Sequence, residues 1–236
     1  MLKRVWIPSP NYSSRGGASV RLLVIHTAEG ARTIESLGSF FQGNVQASSQ
    51  VGADDKVNTI GEYVRRTDKA WTCASFNPVS ENIELCAFAS WSADEWNRHP
   101  NMLANCAAWL AEESAHYGIP LTKLSPSAAQ GSGRGVCYHA DLGAAGGGHH
   151  DPGTNFPIDY VLNLARGGAP SPTPPTEEDI VAVATGVNNA GALHVFVEAK
   201  DGSVWYTWQK KGETSWQGGK AGVSVAKLQP FAPAPK

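Results

Sequence analysis

The densest run of potential chemistry lies between Cys137 and Gly153. It reads Cys137-Tyr138-His139-Ala140-Asp141, then a glycine-rich stretch, then His149-His150-Asp151-Pro152-Gly153. Neutral imidazole nitrogens and carboxylate oxygens are donors that Zn2+ accepts at about 2.0–2.2 Å in a tetrahedron. Two His and one Asp leave the fourth corner to water, the pattern of a catalytic site. The proline after Asp151 restricts that residue to extended backbone. If residues 149–151 are extended, His149 and Asp151 share a face and His150 points away. Asp151 is then the candidate ligand, His149 stands beside it, and His150 is a bystander. By the same alternation Cys137 shares a face with His139, which makes it either a rival ligand or a buried structural thiol.

His26 ends the apolar, β-branched run Val20-Arg21-Leu22-Leu23-Val24-Ile25. A polar group at a strand end beside a loop is where open α/β sheets place ligands. The plain alternative is a hydrogen-bonded, partly buried imidazole. Glu84 is the only charge between Asn82 and Ser90. A carboxylate inside an apolar strand is costly unless paired or functional. Burial would raise its pKa toward the range useful for proton transfer. The alternative is an edge-strand Glu facing water. Glu81 reads as an ordinary loop charge.

The elements that must position these groups alternate along the chain. Strand signals lie at Val20–Ile25, Ile83–Phe88 and Val136–His139. Thr33 is placed to cap a helix with an apolar face of Ile34, Leu37, Phe40 and Phe41. A longer helix runs from about Asn101 to Tyr117, with Leu103, Cys106, Ala107, Leu110, Ser114 and Tyr117 at helical spacing. Gly118 and Pro120 stand where it must stop. Ile158 to Leu164 forms a short closing helix. This is the pattern of an α/β domain with a mixed central β-sheet covered by helices.

Gly167 to Thr176 holds two glycines and four prolines and reads as a stiff linker. It divides the chain into residues 1–166, a linker at 167–176, and a unit at 177–236. In the last unit Leu193, Val195 and Val197 alternate with polar or aromatic neighbours, Asp201-Gly202 signals a hairpin turn, and Val204 to Trp208 forms a second strand. This predicts a small all-β C-terminal unit.

The net charge is −2, from 19 basic and 21 acidic residues, and no basic run exceeds two. That argues against nucleic acid or an anionic membrane as the main partner. No stretch approaches the roughly 20 continuous apolar residues of a membrane span. Met1 to Pro8 lacks the apolar run of a signal peptide. The expectation is a soluble chain made in the cytoplasm. Cys73, Cys86, Cys106 and Cys137 read first as buried thiols, with disulfide pairing left open.

Five pieces in order carry a resemblance: Val24-Ile25-His26-Thr27, Ala70-Trp71, Asn82-Ile83-Glu84-Leu85, His139-Ala140-Asp141, and His149-His150-Asp151-Pro152-Gly153 with Phe156-Pro157. Over roughly residues 1–165 the chain resembles the type 2 N-acetylmuramoyl-L-alanine amidases, the zinc family that includes phage endolysins and peptidoglycan recognition proteins. The resemblance implies one zinc ion (Zn2+) held by His26, His139 and Asp151. It implies Glu84 as the general base that activates water. His149 stands where the family usually has a Lys or other polar residue that stabilises the oxyanion. The implied reaction hydrolyses the amide between the lactyl group of N-acetylmuramic acid and L-alanine of the stem peptide in bacterial peptidoglycan. The family often has Ser-x-His and an aromatic where this chain has Ser48-Ser49-Gln50-Val51, and a His where Thr72 follows Trp71. Gln50, Trp71 and Thr72 are therefore expected to line the substrate groove.

The C-terminal unit resembles one blade of the lectin-like propeller repeats. That implies cell-wall glycan binding, with Trp205, Tyr206 and Trp208 stacking on sugar faces. The alternative is that these aromatics form the core of a tiny domain. One blade cannot close a ring, so self-association is implied. The leading expectation is an endolysin made in the host cytoplasm that reaches the wall once the membrane is permeabilised. The other readings are a cytosolic amidase that recycles wall fragments, and a peptidoglycan-binding protein that has lost catalysis.

Overall fold

The structure is a computed structural model that describes residues 2–168, 180–187, 191, 193–199, 204–209 and 211. The chain divides into two compact units, Met1–Pro170 and Ser171–Lys236. The first runs β1 (Lys3–Trp6), β2 (Tyr12–Ser14), β3 (Leu22–Thr27), α1 (Ile34–Gln42), β4 (Val51–Ala53), β5 (Thr59–Glu62), β6 (Asp68–Ala70), β7 (Ser80–Leu85), α2 (Ala93–Asn97), α3 (Pro100–Tyr117), α4 (Pro126–Gln130), β8 (Gly135–Tyr138) and α5 (Ile158–Ala165). Turns of 3-10 helix lie at Ala74–Val79 and His139–Gly146. Six strands form one sheet in the order β1-β5-β4-β7-β3-β8, and β2 pairs with β6. β3 is parallel to both β7 and β8, and β4 is parallel to β7 but antiparallel to β5. This is a mixed α/β fold with helices packed on the sheet, as the alternating signals imply.

The sequence of β3 explains its central place. Leu22, Leu23, Val24 and Ile25 are each fully buried, so both faces of the strand are covered. Leu23 and Ile25 join the main core with Ile83, Leu85, Leu103, Cys106 and Leu110. Leu22 and Val24 face a smaller core with Cys73, Cys137 and Leu142. Alternation puts His26 on this second face.

Thr33 caps α1 by accepting a hydrogen bond from Ser36 N–H. The helix buries Ile34, Leu37, Gly38 and Phe41, while Phe40, expected on that face, is 52% exposed. The buried set follows the i, i+3, i+4, i+7 stripe, and residue 40 lies off it. α3 ends at Gly118, whose φ of 63° is left-handed and suits glycine. Its buried surface is wider than expected. Asn105 donates to the carbonyls of Lys56 and Thr59, and Glu113 accepts two hydrogen bonds from Arg66.

β7 begins earlier than its apolar pattern predicts. Ser80, Glu81 and Asn82 are strand residues, and all are buried. Glu81 is not a loop charge: it is ion-paired with Arg15 and accepts from the Tyr117 hydroxyl at 3.0 Å. A satisfied polar side chain can occupy a strand interior that hydrophobicity alone assigns to a loop. All four cysteines are free and buried.

The second unit contains β9 (Ile180–Val187), β10 (Leu193–Ala199) and β11 (Val204–Gln209), antiparallel in the order β11-β10-β9. The two strands expected from Leu193 and Val204 are present, and β9 adds a third. The register sets Trp208 opposite His194, Tyr206 opposite Phe196 and Trp205 opposite Val197. Linker residues 169–176, the Asp201-Gly202 turn and Trp216 lie outside the described residues. Among the described residues, no helix is long and apolar enough to cross a membrane.

Gly153 has a φ of 86°, and a Cβ there would overlap the Ala89 carbonyl oxygen. Gly153→Ala is expected to cost about 1–3 kcal/mol of stability, seen as a lower urea midpoint. An unchanged midpoint would show that the 151–153 turn has room to spare.

Candidate metal centre

The parallel strands β3, β7 and β8 end on one side of the sheet, and the candidate residues gather beyond those ends. His26 and Glu84 are each the penultimate residue of their strand and are paired in register, so they share a face as neighbours. His139 follows directly on β8. Asp151 comes from the following loop. The Ala140 N–H donates to the Asp151 carbonyl at 3.0 Å, and the Thr27 N–H donates to Asp151 Oδ2 at 3.3 Å.

Among the described residues, His26, His139 and Asp151 form a group whose donor atoms lie within 4.8 Å of one another, all three side chains being buried. The Nδ1 atoms of His26 and His139 are 3.0 Å apart. His139 Nδ1 is 3.2 Å from Asp151 Oδ1, and His26 Nδ1 is 3.4 Å from Asp151 Oδ2. A tetrahedron with bonds of about 2.0–2.1 Å has edges of about 3.3 Å, close to these three separations.

The far side of each ring shows what occupies the near side. His139 Nε2 is 2.9 Å from the Gly146 carbonyl, and His26 Nε2 is 3.1 Å from Asn82 Oδ1. Both partners are acceptors, so each Nε2 carries the proton and each Nδ1 presents a lone pair. Two ring nitrogens and a carboxylate thus face one another, a donor set that fits a divalent cation.

The electrostatics favour a neutral His26 and an ionised Asp151. Burial pushes the His26 imidazole below its usual range, which favours the neutral ring. Burial alone would raise Asp151, but its contacts with His139 and His26 outweigh this and hold the carboxyl well below the usual carboxylate range. Glu84 is pushed well above its usual value, first by burial and then by the charges of Asp151 and Glu29. Its Oε1 is 4.0 Å from His26 Nδ1, and its Oε2 is buried without a hydrogen-bond partner.

His149 is half-exposed. Its ring stacks on His139 with centroids 4.1 Å apart, and its Nδ1 is 3.8 Å from Asp151 Oδ1. Burial, then the neighbouring His139, lowers its pKa. His150 is exposed. Cys137 packs with Leu22, Val24 and Cys73 and stays outside the donor group. Cys137 shares that face but is paired with Val24, two residues before His26, so it lies beneath the donor group rather than in it.

The three residues expected along a groove are placed differently from one another. Gln50 is buried, and both ends of its amide are hydrogen-bonded inside the protein. Half-buried Trp71 donates its indole N–H to Ser13 Oγ, and the Thr72 hydroxyl donates to the Ser48 carbonyl. Trp205, Tyr206 and Trp208 lie on β11 of the second unit.

Sequence reasoning assigned no role to several residues that shape the site. Asn82 sits two positions before Glu84 on β7, so period-2 alternation alone would have put it behind His26. Glu29 accepts from the Thr27 hydroxyl and the Ala89 N–H, which ties the loop after β3 to the loop after β7. Asp141 accepts from the Tyr138 N–H and from Lys123, which fixes the start of the turn that carries His139. The bonds of Glu29 to Ala89 and of Asp141 to Lys123 join segments distant in sequence and have no local signature.

Fold and site together define a class: an α/β domain with a buried two-histidine, one-aspartate group that could hold a cation, at the C-terminal edge of its sheet. A family model described as N-acetylmuramoyl-L-alanine amidase (Amidase_2) matches residues 16–154. The chain belongs to that family. No curated protein matches it. Similar solved structures include the Staphylococcus aureus hydrolase AmiA in complex with its ligand, at 20% identity and a TM-score of 0.55, covering 72% of this chain and 87% of that one. The PlyG catalytic domain is similar at 14% identity and a TM-score of 0.51, covering 74% of this chain and all of that one. At these identities the likeness is one of fold.

Excess Zn2+ is expected to raise Tm, by the equivalent of about 2.7 kcal/mol when free metal is a hundredfold above Kd. His139→Ala should abolish the rise. An equal rise in that variant would place the metal elsewhere.

Proposed function

We propose that the chain is a zinc-dependent peptidoglycan hydrolase of the endolysin type. It cleaves the amide between N-acetylmuramic acid and L-alanine of the stem peptide. The observation that carries this reading is the convergence of His26, His139 and Asp151 beside Glu84, whose buried Oε2 has no partner. Family membership supports the substrate class.

His26, His139 and Asp151 would hold the zinc, which would supply Lewis acidity to polarise the scissile carbonyl and make water nucleophilic near neutral pH. Glu84 takes the proton of the attacking water and returns it to the leaving L-alanine nitrogen as the C–N bond breaks. A site that destabilises its carboxylate makes Glu84 a stronger proton acceptor than an exposed glutamate. His149, at the rim above His139, donates a hydrogen bond to the oxyanion that develops on the former carbonyl. Its lowered pKa keeps it neutral near pH 7, and a neutral imidazole still carries one N–H to donate.

In this reading residues 1–166 are the catalytic domain, 167–176 a spacer, and 177–236 a module that holds the enzyme on cell-wall glycan. Trp205, Tyr206 and Trp208 are the candidates for sugar stacking. Their concentration on one strand supports the assignment.

Glu84→Gln should keep its zinc and lose about 10²–10⁴ of the turnover. Mass spectrometry of digested peptidoglycan checks this by counting new L-alanine amino termini. A near wild-type count would give the proton transfer to another group. Truncation after Arg166 should preserve cleavage of soluble muropeptide while reducing co-sedimentation with purified walls. Undiminished co-sedimentation would remove the targeting role of the second unit.

A further inference from the structure

The free lone pair on His26 depends on the orientation of one buried amide. An asparagine offers an oxygen on one side and an NH2 on the other, and turning it over reverses which end faces the ring. Were the NH2 of Asn82 to face His26 Nε2, that nitrogen would have to accept. The proton would then move to Nδ1, where the metal must bind.

Backbone groups forbid that arrangement. The Asn82 main-chain N–H can only donate, and it donates to Gln50 Oε1 at 3.0 Å. The opposite end of Gln50, Nε2, donates to the Asp68 main-chain carbonyl, which can only accept, at 3.3 Å. The Gln50 amide is therefore fixed at both ends. Its Oε1 also accepts from Asn82 Nδ2 at 2.9 Å, which directs the NH2 of Asn82 away from the site. Ser80 Oγ accepts a second hydrogen bond from that NH2 at 3.1 Å. Asn82 Oδ1 is left for His26 Nε2 at 3.1 Å and the Cys73 thiol at 3.2 Å. Gln50 and Asn82 are each no more than 2% exposed, so water cannot substitute for either partner.

We infer that Gln50 and Asn82 are positioning residues that lock His26 in its Nε2–H tautomer, so that Nδ1 is presented to the metal before it arrives. The inference rests on the zinc site proposed above. It gives Gln50 a function at the centre of the site rather than in a groove. The constraint passes from the Asp68 carbonyl through two side-chain amides to the ligand.

The experiment reads the His26 tautomer in metal-free protein by ¹⁵N NMR of the imidazole, and zinc affinity by competition with a chromophoric chelator. Wild-type protein should show His26 as Nε2–H, and an Nδ1–H ring would overturn the inference without any variant. Gln50→Met frees the Asn82 amide to turn. It should shift His26 toward Nδ1–H and weaken zinc about 10–100-fold. Gln50→Glu can be protonated and then still accepts from Asn82 and donates to Asp68, so both readouts should return to wild type. Asn82→Asp combined with Gln50→Met should also restore the Nε2–H ring, because a carboxylate has no NH2 to present. A Gln50→Met protein with an unchanged tautomer, or a double variant that is not rescued, would overturn the inference. Wild-type protein that shows the Nε2–H ring but binds no zinc would instead refute the metal assignment.

Discussion

Two imidazole nitrogens, both bearing lone pairs, are held 3.0 Å apart with carboxylate oxygens 3.2 and 3.4 Å away. In a buried setting water screens the interactions among them only weakly. The arrangement persists because each is gripped from behind: His139 by the Gly146 carbonyl, His26 by Asn82, and Asp151 by the Thr27 N–H. The three groups are so placed that they could hold a cation. Much of the surrounding hydrogen bonding in this unit keeps them there.

The sheet supplies the rigidity. Ile83 and Leu85 pack into the main core while Asn82 and Glu84 face the other way, so a one-residue slip of β7 would carry Glu84 into the helix-covered core. The same apolar residues that stabilise the domain therefore set the register between Glu84 and His26. Stability and the placement of Glu84 beside His26 are coupled through a single strand alignment. The polar start of β7 extends this logic. Ser80 and Asn82 contribute to the hydrogen-bond chain behind His26, and Glu81 ties the opposite face to Arg15 and Tyr117.

The parts legible in the sequence were those carried by local pattern. Leu22 to Ile25 reads as a buried strand because it is continuously apolar, Thr33 as a cap because its hydroxyl satisfies an end N–H, and Gly118 as a stop because only a left-handed turn follows. The strongest chemical groups were legible from residue type and their places beside strand ends. Glu81 was misread because burial of a charge depends on Arg15, 66 residues away in sequence. Phe40 was misread because a nine-residue helix has several near-equivalent apolar stripes, and only the surface beneath selects one. Gln50 was expected along the substrate groove from the family resemblance, whereas its hydrogen bonds with Asn82 and Asp68 hold it buried.

By itself, the order of residues determined which segments become strands and helices and which side chains are able to ligate, accept protons or donate hydrogen bonds. Those properties belong to single residues and to their periodicity. Tertiary structure alone decided that His26, His139 and Asp151 meet, which partner each ring finds behind it, and that Cys137 stays in the smaller core. Distance and hydrogen-bond direction between segments more than a hundred residues apart are properties of the packed sheet, and no local pattern encodes them.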